Sequence, residues 1–276
     1  MRAAVVGHLE WVDFVAVDHV PRAGEIIHAL EWWQEPGGGG AGAAVQLQKL
    51  TGDTTFFTAL GNDELAAATR EALGATGLRV QAASRDEPSR RAITHVDPAG
   101  ERTITVLGAR LAPAGADALD WKSLTRTDAV YFTAGDVAAL EAARAARVLV
   151  ATTRGLPLLS RAGVFLDAVV GSAVDAGESY RRGDLDPAPG LVVMTGGERG
   201  GVYWTGDGPE RRYGPASPPG RVVDRYGAGD SFAAGLAFAL GQGADAAGAV
   251  AFAARCGAAA VTGRGPYGGQ LTMRDL

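Results

Sequence analysis

The sequence predicts an α/β protein: a mostly parallel central sheet with helices on both faces and a small β lid beside it. Three observations predict this. Short apolar runs of buried-strand type alternate with helical stretches along most of the 276 residues. Two hairpin-like pieces, near 12–33 and 91–107, break the alternation and read as lid strands. The composition, 47% hydrophobic and 21% charged, is that of a globular chain and excludes disorder. No repeat and no low-complexity linker divides the chain, so 1–276 reads as one domain.

Each element has its own signal. Residues 3–7 form an apolar run ending in glycine, a buried first strand, and 26–33 is strand-like and partly alternating. The glycine run 37–40 reads as a turn, after which Val45, Leu47 and Leu50 fit a helix. A strand over 54–60 and a helix over 64–73 follow. Segments 91–96 and 103–107 flank Asp97-Pro98-Ala99-Gly100, a turn-forming tetrapeptide, and read as a hairpin. Residues 112–117 suit a surface loop. The runs 129–132, 148–151, 168–170 and 191–194 are buried strands, with a helical stretch over 137–146.

Charge and residue counts exclude several functions. A net charge of −5 argues against nucleic acid as a partner, which normally requires a basic face. The lone Cys256 permits no intrachain disulfide and reads as a small buried hydrophobe. Histidines at 8, 19, 28 and 95 stand singly, without the i,i+4 pair of a zinc helix. Residues 1–10 are too short and too acidic for a secretory signal. The most apolar tract, 232–240, falls well short of the ~20 residues of a membrane span. A cytoplasmic protein with no membrane partner is expected. Neither G-x-x-x-x-G-K-[ST] nor G-x-G-x-x-G occurs in the required place.

The chemistry concentrates in residues 222–235, VVDRYGAGDSFAAG, where the small-residue turn Gly227-Ala228-Gly229 runs into a long apolar helix. The first amides of a helix have no intrahelical partner, and the helix dipole adds partial positive charge there. Glycines let an anion approach those amides, which suits a transferring phosphoryl group. Asp230 stands beside that place. It could take a proton from an attacking hydroxyl, or simply cap the helix; on these four residues both readings stay open.

The segment 224–235 is similar to the signature D-T-x-G-A-G-D-x-F-x-x-G of the PfkB, or ribokinase-like, carbohydrate kinases. Val5-Val6-Gly7 with Asp13, then Pro21 and Gly24-Glu25, resemble the family's opening. Residues 37–50 resemble its glycine-rich substrate loop and helix, and Gly61-Asn62-Asp63 its V-G-D-D element. Gly100-Glu101-Arg102-Thr103 resembles the lid hairpin, and 195–200 the nucleotide loop. The resemblance runs through nearly the whole chain in the right order.

It implies an ATP-dependent kinase acting with Mg²⁺ on a hydroxyl of a small sugar or sugar-like molecule. Asp230 would be the base, with the amides of Gly227, Ala228 and Gly229 as the anion hole. Asp13, the glycines Gly37, Gly38 and Gly39, and Arg91 would face the acceptor. Gly42 stands where the family usually has asparagine, which removes one reader of substrate hydroxyls. Thr195, Gly197 and Gly200 would lie on the ATP side. Ser172-Ala173-Val174-Asp175 is a shortened analogue of the family's N-x-x-E; Asp175 would hold Mg²⁺ through water, with Glu178 the competing candidate. Asp224 corresponds to an aspartate near which some members bind a monovalent cation. Arg225 replaces the usual threonine, and its guanidinium would pair with Asp224 or reach a phosphate. The resemblance also allows a homodimer through the lid. Two alternatives remain at this point: a nucleoside kinase, if Trp11, Trp32 or Trp33 line the pocket, and a ligand sensor without turnover.

Overall fold

Alternate residues of the first strand enter two different cores. In the computed structural model, which describes residues 1–276, β1 (Ala3–Val6) sends Ala3 and Val5 to one side and Ala4 and Val6 to the other, all buried. A strand covered on both faces needs no polar residue, and this one has none. It lies inside a nine-stranded sheet ordered β13-β12-β11-β10-β9-β8-β1-β4-β5. The parallel part comprises β4 (Thr54–Gly61), β5 (Arg79–Arg85), β8 (Ala129–Phe132), β9 (Val148–Thr152), β10 (Ala168–Ser172) and β11 (Leu191–Thr195) together with β1. β12 (Gly201–Thr205) and β13 (Arg211–Tyr213) extend it antiparallel.

Helices α1 (Gly38–Thr51), α2 (Glu64–Gly74), α5 (Ala228–Gly241) and α6 (Ala246–Ala260) pack on the face that receives Val5; α3 (Val137–Ala143) and α4 (Leu156–Ala162) cover the other. Cys256 is fully buried, as its surroundings suggested, and it presses on Gly235: a Cβ there would lie 2.6 Å from Cys256 Sγ. Close approach of α5 and α6 therefore depends on that glycine. No helix is long and apolar enough to cross a membrane.

The second sheet is the lid, ordered β3-β2-β6-β7 from β2 (Glu10–Ala16), β3 (Glu31–Gly37), β6 (Arg91–Val96) and β7 (Arg102–Leu107). Its third strand starts later than the pattern over 26–33 suggests. Ile26 and Leu30 are exposed, so their alternation has no core to face. The glycine run is likewise not a turn but the end of β3 and the first turn of α1, with Gly38 at φ +82°, a conformation glycine adopts freely.

Candidate active site

Strand order turns around β1, which pairs with β4 on one side and β8 on the other. In open parallel sheets ligands bind beyond the carboxyl ends of the strands at such a switch point. His8 leaves the sheet there after β1, Arg154 after β9, Asp175 and Glu178 after β10, and Thr195 ends β11.

α5 begins at the same edge. Gly227 is its N-cap, at φ +75°. The Gly227 amide has no acceptor, Ala228 reaches the Arg225 carbonyl only at 3.5 Å, and neither carbonyl 225 nor 226 receives Gly229 or Asp230. Unsatisfied amides and the helix dipole together make this corner attractive to an anion. Asp230 does not cap the helix; Gly227 does, and no donor in the chain bonds the Asp230 carboxylate. Burial pushes its pKa up to about 6, with the Glu178 charge adding to the shift and Arg102 and Arg154 opposing it.

The first turn of α1 meets this carboxylate. A Cβ on Gly39 would lie 3.0 Å from Asp230 Oδ1, and one on Gly42 3.3 Å from Asp230 Cβ. The position read as a lost asparagine is thus a close helix–helix approach beside Asp230. Gly37 and Gly38 serve a different contact. Gly38 donates its N–H to Tyr226 Oη at 2.9 Å, and a Cβ on Gly37 would lie 2.7 Å from the same oxygen. Tyr226, which carried no signal in the sequence, occupies backbone that was expected to meet the acceptor.

Asp13 and Arg91 are not brought to Asp230. Val12 and Phe14 turn inward, Phe14 lying edge-on to Tyr226 with ring centroids 5.0 Å apart. Asp13 alternates to the opposite face of the lid, where Gln34 (2.6 Å) and Arg91 (2.8 Å) donate to it. Burial alone would raise its pKa, but those bonds outweigh it and hold the carboxyl below its ordinary value. The inward acid is Glu10, three residues earlier and buried, and the inward arginine is Arg90, with Nε 3.2 Å from Glu10 Oε2. A Cβ on Gly38 would touch Glu10 Cγ at 3.4 Å, and the Glu10 charge is felt at Asp230. The alternation of β2 could have shown this, had Trp11 and Val15 not made both its faces look apolar.

Asp175 and Glu178 share one guanidinium, with Arg154 Nη2 2.6 Å from an oxygen of each. Asp175 Oδ1 also accepts the Gly177 amide at 2.8 Å; of the two acids, Glu178 is the one whose charge acts on Asp230 and Tyr131. On the nucleotide-loop side, Thr195 Oγ1 donates to the Gly171 carbonyl (3.1 Å), and Gly200 is closed in by the Tyr213 carbonyl. Gly197, at φ +60°, faces open space.

Arg225 does not pair with Asp224, contrary to expectation. Asp224 is fully buried and already satisfied: Oδ1 accepts the Tyr226 amide (2.8 Å) and Oδ2 the Gly265 amide (3.0 Å), stapling the entry of α5 to the later loop. Arg225 turns instead to Glu198 in the loop after β11, at 2.6 Å. Its own amide donates to the Gly100 carbonyl of the lid turn at 3.0 Å.

Comparison with known proteins agrees with this geometry. The model of the pfkB family carbohydrate kinases matches residues 2–154 and 186–273. A ribokinase of Dictyostelium discoideum is 32% identical over 106 residues, a stretch of 38% of this chain and 33% of that relative. Among solved structures, the ribokinase of Thermotoga maritima superposes with a TM-score of 0.78 at 22% identity, covering 99% of this chain and 97% of its own. The adenosine kinase of Sinorhizobium meliloti does so at 0.77 and 21%, over 96% and 95%. At these identities the two structures speak for the fold alone, whereas the family match takes in both the lid and the corner where α5 begins, and on that ground the chain belongs to the PfkB family of carbohydrate kinases.

Proposed function

We propose that the protein transfers the γ-phosphoryl group of ATP to a hydroxyl of a small sugar or sugar-like molecule. The observation that carries this reading is the pairing at the start of α5: amides without acceptors, and beside them a carboxylate without a donor whose pKa is lifted to about 6. Asp230 takes the hydroxyl proton as the acceptor oxygen bonds to the γ-phosphorus. The bond from that phosphorus to the bridging oxygen breaks, and ADP leaves. The amides of Gly227, Ala228 and Gly229 stabilise the charge on the transferring group.

Magnesium, which the family implies, finds no ready-made cluster of ligands here. Asp175 and Glu178 offer hard oxygens, the first already holding one hydrogen bond from Arg154 and the second two. That donor set suits an ion that keeps most of its water and arrives on the nucleotide; when bound, it would neutralise phosphate charge. Asp224, with both oxygens taken by amides, is a staple first, and potassium titration of activity tests whether a monovalent cation matters at all.

The tryptophans offer no support for a nucleoside acceptor. Trp32 is exposed, Trp33 stacks on Phe14 at 4.9 Å beneath Arg264, and Trp11 lies on the Asp13 face of β2. A panel of sugars, sugar derivatives and nucleosides assayed for ATP consumption and phosphorylated product tests the proposal. Absence of phosphoryl transfer to every member would leave a ligand sensor as the better account.

A further inference from the structure

Around His8 stands a group of cations for which proton abstraction has no use. Arg90 precedes β6 and Arg110 lies in the return after β7; between them, a Cβ on Gly108 would sit 4.0 Å from Arg90 Cα. The Arg90 side chain is 12% exposed, and neither its Nε nor its Nη1 has a hydrogen-bond acceptor in the chain. Arg110 opens to solvent without an ion pair, and the only acid charge acting on it is that of Glu10. The charges of Arg110, Arg90 and Arg154 converge on His8. Burial and those charges drive its pKa down to about 3 and keep the ring neutral, with Nδ1 unpartnered. His8 Cε1 and Asp230 Oδ1 flank the same glycine: a Cβ on Gly39 would lie 3.9 Å from the first and 3.0 Å from the second.

The charge does not balance within the protein. Arg154 has Asp175 and Glu178, whereas Arg90 and Arg110 have only Glu10 between them. Like charges held together in a cleft are unfavourable unless an anion joins them. A neutral sugar gives no such compensation. Guanidinium forks match phosphate and carboxylate groups, with two parallel hydrogen bonds to each.

We propose that the acceptor carries an anionic group, a phosphate ester or a carboxylate, at the end away from the reacting hydroxyl, and that Arg90 and Arg110 receive it. His8, through its unpartnered Nδ1, hydrogen-bonds the acceptor between that end and Asp230. The inference rests on the kinase reading and narrows its substrate class.

Matched pairs test it: ribose with ribose 5-phosphate, fructose with fructose 6-phosphate, and glucose with gluconate, each with ATP. At least one charged member is expected to exceed its neutral parent by about 100-fold in kcat/KM, and which pair responds separates phosphate from carboxylate. Arg110→Gln should raise the KM for that acceptor about 10- to 100-fold, move the ATP KM less than about threefold, and be partly rescued by Arg110→Lys. Neutral members performing as well as every charged one, or an unchanged acceptor KM in Arg110→Gln, would overturn the inference while leaving the kinase reading intact. If no acceptor consumes ATP, the kinase reading fails instead. Calorimetry with inorganic phosphate and with acetate, under saturating Mg-ADP to fill the α5 corner, then decides the anion site. Binding weakened at least about tenfold by Arg110→Gln upholds it, and the absence of binding overturns it.

Discussion

Two regions of the cleft attract negative charge by different means. At the start of α5 the attraction comes from backbone: Gly227, Ala228 and Gly229 present amides, and no side chain is needed. Across the cleft it comes from side chains, Arg90 and Arg110, delivered by two separate segments of the chain. The first region is fixed by a turn of small residues within one local stretch. The second exists only once the lid has folded over the switch point. A backbone site can be disturbed only by adding atoms or moving its neighbours, whereas a side-chain site can be removed one charge at a time. Asp230 stands between the two, and the sharpest tests of the contrast begin with it.

Replacing Asp230 with Asn removes the proton acceptor and leaves the amides in place. Turnover should fall by about 10²–10⁴ while ATP binding, measured by calorimetry, stays close to wild type. Near-normal turnover would show that the backbone region alone suffices. The next largest effect separates the two faces of the lid. Glu10→Gln removes the carboxylate that orients Arg90 toward the acceptor and should reduce acceptor kcat/KM about 10- to 100-fold. Asp13→Asn, on the far face, should change kcat/KM less than about threefold and appear instead as a lower Tm. The reverse order in steady-state kinetics would return the acceptor role to Asp13.

A smaller effect follows from acidity. With the Asp230 pKa pushed up to about 6, kcat/KM should rise about tenfold between pH 5 and 7 and then level. Stability runs the other way. A carboxyl whose folded pKa stands above its unfolded value favours the fold while protonated, and that contribution is lost as pH rises through about 6. Asp230→Asn should therefore be more stable than wild type at pH 8, by up to about 3 kcal/mol, with the gain fading as pH falls from about 6 to 4. A Tm difference that ignores pH would mean the carboxylate is better solvated than its surroundings imply.

The same contrast explains what could be read from the sequence. The parallel strands β1, β4 and β8 to β11 were legible because burial on both faces leaves runs dominated by apolar residues. The α5 corner was legible because it is local, with turn, helix and acid consecutive. β5 escaped because it lies at the edge of the sheet and carries Arg79, Gln81 and Arg85 among its seven residues, so its pattern does not look buried. Glu10, Arg90 and Arg110 escaped for another reason. Which side of β2 faces inward, and which part of β6 lies beside it, is fixed by parallel pairing across nearly eighty residues. No local spacing encodes that pairing, so Asp13 and Arg91, each close in sequence to the inward residues, lie on the wrong side of the same sheet.

Arg225 links the two regions and carries the smallest predicted effect. Its side chain holds Glu198 of the nucleotide loop, while its amide bonds the Gly100 carbonyl at the tip of the lid. Glu198 is largely exposed and Arg225 about a third exposed, so the pair should contribute at most about 1 kcal/mol in water. Arg225→Ala removes that pair and keeps the backbone bond, because any residue supplies the amide. The expected result is a rise in ATP KM of about threefold, reduced further at high salt, with kcat unchanged. A much larger loss, confined to kcat, would mean that the guanidinium touches the transferring phosphate when ATP is bound, and that the backbone corner does not act by itself.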